Sequence, residues 1–219
     1  FTLNDIEPVA EMAVTAPNGG ENLITGTTSN ITWTSLNIPP TDEIDILVST
    51  DNGVNFTSIL TDPETFESLN GTFPWQVPTT LSTEALIKVR SVTNDIEAVS
   101  DAVFSIVPVP VINVTDVTVA TGITIDDSDA SDLEDTQVTY TVSGSNLLGA
   151  IGLAVVSADV AGFEISTDGI NFATTATVAA GTTGSIRVRA TNTTNNGGSY
   201  SGTIVHTSTS ATAINLPVE

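Results

Sequence analysis

Apolar and polar residues alternate along most of this chain. In "NITWTS" (30–35), Ile31 and Trp33 share one face and Thr32 and Thr34 the other. "EIDILVS" continues the pattern with Ile44, Ile46 and Val48. "LIKVRSV" sets Ile87 and Val89 against Lys88 and Arg90. "TQVTYTVSG" sets Val138, Tyr140 and Val142 against threonines and serine, and "GSIRVRA" sets Ile186 and Val188 against Arg187 and Arg189. "SGTIVHTS" and "AINLPVE" read as late strands. No apolar stripe at i, i+3, i+4 spacing outlasts a turn or two, so helices are not expected. Period-two segments separated by Gly, Asn, Asp and Pro predict an all-β sandwich architecture.

Two phrases recur in the same order. "VSTDNGVNFTSI" (48–59) and "ISTDGINFATTA" (165–176) each read as strand, turn, strand, with Asp51-Asn52-Gly53 and Asp168-Gly169 supplying the positive φ of a tight hairpin. Farther along come "LIKVRSVTN" and "SIRVRATNT". The ordered repeat predicts two tandem antiparallel Ig-like β-sandwiches rather than one barrel. The boundary falls in "FSIVPVPVINVTD", where Pro108 and Pro110 flank Val109 and stiffen the backbone. The expected organisation is an N-terminal extension at 1–10, a first sandwich at 11–107, a proline linker at 108–110 and a second sandwich at 111–219. With 219 residues, each sandwich has about 110, enough to bury a core.

"STDNGVNF" fits S-x-D-x-G-x-x-F and resembles the Asp-box of sialidase-type propellers, a hairpin device in which the Asp accepts backbone N–H groups and the aromatic plugs the core. The second copy is one residue shorter, and no periodicity of four or more blades accompanies it, so the turn is retained and the propeller rejected. "VTAPNGGENLITGTTSNITWTS", "IDILVSTDNGVNFTSI", "GTFPWQVP", "ALIKVRSVTN" and "VSDAVFSIV" together resemble the PNGGE-type Ig/Fn3-like module of secreted bacterial multimodular proteins. The second half, from "VTYTVSGSNLLGAIGLAV" through "GSYSGTIVHTSTSATAINLPV", resembles an Ig-like repeat of large Bacteroidota-type secreted surface proteins. These resemblances imply extracellular sandwiches placed beside adhesins, nucleases and glycan-active enzymes, and do not imply catalysis.

Charge narrows the partners. Four Lys and Arg stand against 26 Asp and Glu, a net charge of -22. That repels nucleic acid and anionic membranes, suits divalent cations or a cationic surface, and also keeps a β-rich protein soluble. There is no Cys, and no apolar run of eighteen residues, so neither a disulfide nor a membrane-spanning helix is expected. A start at Phe1 fits a processed chain or a piece of a longer one.

Candidate chemistry is sparse. His206 is the only histidine, too little for a zinc site or a triad, and is expected on a strand surface, on the face opposite Val205. No G-x-S-x-G elbow or phosphate loop occurs; Gly197-Gly198 reads as a hairpin turn. No carboxylate pair is favoured for glycoside hydrolysis. Glycan binding needs exposed aromatics, yet Trp33, Trp75, Tyr140, Phe56, Phe104, Phe163 and Phe172 read as core, leaving Phe1 and Phe66 outside. The acidic run "DDSDASDLED" offers Asp126, Asp127, Asp129, Asp132, Glu134 and Asp135. It is either a weak calcium site or a solvated acidic loop; its spacing matches D-x-D-x-D only in part, lacking the glycine and terminal glutamate of an EF-hand loop. The expected function is therefore not enzymatic. It is an extracellular or cell-surface structural and adhesion module whose partners are other copies of itself or neighbouring domains. A self-assembling filament subunit, joined through the extended ends "FTLNDIEPVAEM" and "AINLPVE", is one form of it. The alternative is a carbohydrate-binding accessory module of a larger secreted enzyme.

Overall fold

The computed structural model describes residues 9–60, 64–65, 70–125, 137–157, 162–190 and 201–219, and every regular element among them is a β-strand. The chain divides into two compact units, the first ending at Val109 and the second starting at Pro110. Each is an antiparallel Ig-like sandwich.

The first unit contains β1 (Glu11–Ala16), β2 (Asn22–Ile24), β3 (Thr28–Leu36), β4 (Glu43–Ser49), β5 (Thr57–Ser58), β6 (Glu64–Thr65), β7 (Asn70–Gln76), β8 (Ser82–Ser91), β9 (Glu97–Val99) and β10 (Phe104–Val107). One sheet runs β1-β3-β7. The other runs β2-β10-β8-β4-β5, with β6 also on β4 and β9 on β8. Alternation turns Val14, Ile31, Trp33 and Trp75 of the first sheet toward Ile44, Ile46, Ile87, Val89, Phe104 and Ile106 of the second. Trp75 meets Phe104 edge to face, with ring centroids 6.3 Å apart. Trp33 lies opposite Gly71 across the β3–β7 ladder, and a Cβ at Gly71 would collide with the indole. The glycine is there to let a Trp lie flat over its partner strand.

The second unit contains β11 (Val111–Thr115), β12 (Val138–Ser145), β13 (Ile151–Ser157), β14 (Phe163–Ser166), β15 (Thr175–Val178), β16 (Gly184–Ala190), β17 (Gly202–Thr207) and β18 (Ile214–Val218). Its sheets run β11-β12-β16-β14 and β15-β13-β17-β18. The inward faces of both build one core, from Ile112, Tyr140, Val142, Phe163, Ile186 and Val188 to Ile151, Leu153, Val178, Ile204, Leu216 and Val218.

The two units share one topological habit. After its first strand the chain crosses to the other sheet and lies parallel to the last strand. In the first unit β2 pairs in parallel with β10. In the second, Ile123 bridges Val218 in parallel, the N–H of Ile123 donates to the Pro217 carbonyl (2.9 Å), and that of Ile125 donates to the Glu219 carbonyl (2.7 Å). The "AINLPVE" run, read both as a late strand and as one of two extended ends for a filament contact, forms β18, held between β17 and Ile123–Ile125.

His206 corrects another expectation. It is 0% exposed, because Ile204 and His206, not Val205, face inward on β17. The Ile214 carbonyl, 3.1 Å from Nδ1, can only accept, so Nδ1 carries the proton and Nε2 accepts from the Tyr140 hydroxyl at 2.8 Å. Burial pushes the Tyr140 hydroxyl well above the ordinary tyrosine range. Burial also pushes the His206 pKa down, with the hydrogen bonds to Ile214 and Ile204 opposing only in part.

Two expectations follow for stability. Gly71→Ala destabilises the first unit by about 1–3 kcal/mol, the range for overpacking a filled core. Chemical unfolding followed by tryptophan fluorescence reads this selectively, since both Trp belong to that unit. In the second unit, the unfolded chain takes up a proton on its histidine below about pH 6.5 and the folded one resists it. Its stability is therefore full above that pH and falls as pH drops from 7 to 5. Urea titrations followed by the NMR amide signals of β13 and β17 check this; in Tyr140→Phe/His206→Leu the decline disappears.

Candidate functional site

The repeated phrases form the most elaborate polar geometry among the described residues. In the first, Ser49 Oγ donates to Asp51 Oδ1 (2.7 Å) and accepts the N–H of Gly53 (2.9 Å). Asp51 Oδ1 accepts the N–H of Asn55 (2.9 Å), and Oδ2 accepts its side-chain amide (2.6 Å). In the second, Ser166 Oγ donates to Asp168 Oδ1 (2.8 Å) and accepts the N–H of Gly169 (2.9 Å). Asp168 Oδ1 accepts the N–H groups of Ile170 and Asn171 (2.8 Å each), and Oδ2 accepts the Asn171 amide (2.7 Å). The one-residue difference in length is a backbone difference. The longer loop turns through Asn52 (φ 57) and Gly53 (φ 81), the shorter through Gly169 alone (φ 74). In both, hydrogen bonds hold the carboxylate in its charged form, led by the backbone N–H of Asn55 for Asp51 and of Asn171 for Asp168, and lower its pKa.

The loop aromatics are not core plugs. Phe56 and Phe172 are half-buried, each beneath a cation from the neighbouring strand. Lys88 Nζ lies 4.6 Å from the Phe56 centroid and 2.8 Å from Glu97 Oε1. Arg189 Cζ lies 4.0 Å from the Phe172 centroid, and its Nη2 lies 2.8 Å from Glu164 Oε2. Aromatic and acid together fix each cation. The two motifs hang from non-equivalent strands, which the sequence repeat concealed. β4 pairs with β8, between β10 and β4 in its sheet; β14 is an edge strand paired with β16. The cation matching Lys88 in space is Arg189, since Leu47 faces Lys88 and Glu164 faces Arg189. Laid side by side, "IKVR" and "IRVR" instead match Lys88 with Arg187. The second loop also does not close an extended hairpin. It makes one bridge, Ile165 to Ala173, after which the chain joins the other sheet as β15.

Other polar clusters are also consumed by the fold. In "PNGGE", the Glu21 carboxylate accepts the N–H groups of Asn18 (2.7 Å) and Gly19 (2.8 Å), which together outweigh burial and lower its pKa. Asn18 in turn exchanges hydrogen bonds with Asp101, and Ser100 Oγ donates to the Pro17 carbonyl. This ties the β1-to-β2 crossover to the β9-to-β10 connection. A Cβ at Gly19 (φ 135) would sit 2.6 Å from that of Ala102, so the approach requires glycine. Buried Asp42 accepts from Ser91 Oγ, the Thr93 N–H and the Asn94 amide, pinning the β8–β9 turn; burial raises its pKa, but these donors prevail. Asp45 accepts from Ser58 Oγ (2.6 Å) and Arg90 Nη2 (2.8 Å).

A carboxylate with this many donors is poorly placed to ligate a metal or accept a substrate proton. Among the described residues no group of three His, Cys, Asp or Glu is arranged to hold a metal ion. Every described aromatic side chain is buried or half-buried. Asp126, Asp127, Asp129, Asp132, Glu134 and Asp135 lie outside the described residues, as do Phe1, Phe66 and Gly197-Gly198. No described helix is long and apolar enough to cross a membrane.

No family model matches the chain, and no curated protein matches it. Among solved structures it is similar to the fibronectin(III)-like modules of Clostridium thermocellum CbhA. Identity is 12%, coverage is 94% of this chain and 92% of that one, and the TM-score is 0.31. At that score the likeness carries no argument, and the Ig-like assignment rests on the strand order and the two-sheet cores described above.

Replacing Asp168 with Ala removes the acceptor for two backbone N–H groups. Amide exchange at Ile170 and Asn171 is expected to accelerate, while β13 and β17 amides keep their protection; exchange followed by NMR checks it. Titrating the parent gives the same loosening only well below the ordinary aspartate range near ~3.9: the stability that the ionised carboxylate contributes begins to decline there and is lost as pH falls through its lowered folded pKa.

Proposed function

We propose that this chain is a non-catalytic structural and adhesion module that works outside the cell as a spacer, contacting other copies of itself or neighbouring domains. The observation that supports it is the saturation of the polar clusters. The carboxylates of Glu21, Asp42, Asp51 and Asp168 are each spent on holding a turn or crossover. Such an arrangement makes rigid surfaces rather than reactive ones.

The sheet edges support a selective contact surface. β1 is interrupted by a bulge between Val14 and Ala16, β7 carries Pro74, and the end of β18 is covered by Ile123–Ile125, all features that discourage indiscriminate strand pairing. β11 is an edge strand without proline, fully paired to β12 over Val111–Thr115, and Val111 at its start is exposed.

Sedimentation of the full chain tests this reading. Weight-average mass is expected to rise with concentration at physiological salt, and a glycan array is expected to give no saturable signal. Saturable retention by a glycan would overturn the reading in favour of a carbohydrate-binding accessory module.

A further inference from the structure

The second repeated loop carries more than its fold requires. Val54 and Ile170 occupy the same place in the two loops, just after the glycine, and are the most exposed large apolar residues described, at 78% and 82%. Each is presented on a turn already fixed by side-chain hydrogen bonds, so a contact there loses little conformational freedom. Arg187 adds a charge beside one of them. Lys88, Arg90 and Arg189 are paired with Glu97, Asp45 and Glu164. Arg187, the remaining cation of the four, is exposed and has no ion pair among the described residues. Its guanidinium rests on the loop, since a Cβ at Gly169 would lie 2.8 Å from Arg187 Cζ. The equivalent position in the first unit is Leu86, which packs near Gly53.

We propose that Ile170 and Arg187 together form the contact point of this chain with a second copy, receiving a carboxylate flanked by apolar residues. The inference rests on the self-association reading above. Charge complementarity selects the occupant. A copy with net charge -22 is repelled by almost any patch of the same chain, and three of the four cations are already neutralised from within. At physiological salt the screening length is about 8 Å, so distant repulsion fades and the local pairing of charges decides where two copies can meet. Ile170 supplies apolar area and Arg187 a fork that grips a carboxylate.

The contact has a salt signature. Raising salt from low to physiological strengthens association by screening net repulsion. Raising it further, toward about 1 M, weakens association by screening the ion pair itself. The test is sedimentation equilibrium of the full chain across that series, with Arg187→Gln, Ile170→Ser and, as a control at a paired cation, Lys88→Gln. Arg187→Gln is expected to weaken dimerisation about fivefold at physiological salt and to abolish the decline at high salt. Ile170→Ser is expected to weaken it at every salt, and Lys88→Gln to leave the salt profile unchanged. Circular dichroism melting of each variant confirms that the sandwiches persist, as expected for changes at exposed side chains. Association of Arg187→Gln equal to the parent would overturn this contact point and leave self-association standing. A parent that stays monomeric at every salt and concentration would overturn both.

Discussion

The constraint behind most of this structure is a shortage of cations. A chain with 26 acids and four Lys and Arg cannot satisfy its carboxylates with ion pairs. It satisfies the structural ones with N–H and O–H donors instead. Glu21 takes two backbone N–H groups, Asp42 takes a hydroxyl, an N–H and an amide, and Asp168 takes four donors. Each such carboxylate sits where the chain must bend. The bends in turn place β1 and β2 in different sheets, hold the β8–β9 turn, and aim the two S-x-D loops. Hydrogen bonds of this kind have fixed direction, so they specify geometry more tightly than point charges do.

Two of the few cations take on a second task beside their ion pairs. Lys88 and Arg189 each cover a phenylalanine on the outer face of a sheet. Both belong to strands whose inward residues are fully buried, Ile87 and Val89 in one and Ile186 and Val188 in the other. A β-branched core face with a long basic side chain between its residues is a portable unit. That explains why the same phrase serves β4–β8 in one sandwich and β14–β16 in the other, although these strand pairs differ in position.

Much of the architecture was readable from alternation, because the pleat leaves a half-buried strand little freedom: Ile31/Trp33, Ile87/Val89, Tyr140/Val142 and Ile186/Val188 all face inward as the pattern requires. The misreadings have specific causes. His206 was assigned outward because imidazole is polar, and the parity of Ile204 was overridden; a partner hydroxyl 66 positions away is invisible in a linear reading. Phe56 and Phe172 were assigned inward as aromatics, though each directly follows a loop asparagine and needs only a flat cationic cover. The offset of the second repeat was hidden because "KVR" and "RVR" match at a shift of two, which preserves strand face and changes cross-strand partners. The acidic run at 126–135 was the one proposed ligand set, and it lies outside the described residues.

The parallel lie of β2 along β10 has a mechanical consequence. Once β1 has been drawn off β3, tension on the first sandwich pulls β2 backward and β10 forward along their common axis. The hydrogen bonds between them are then loaded together in shear, and none can part until all are strained. An antiparallel hairpin pulled from its open end unzips one bond at a time. The stretch from Ile123 to Ile125 beside the end of β18 repeats the arrangement with a shorter clasp. Extension that reaches these strands is therefore met at the sheet margin, by a few residues loaded side by side.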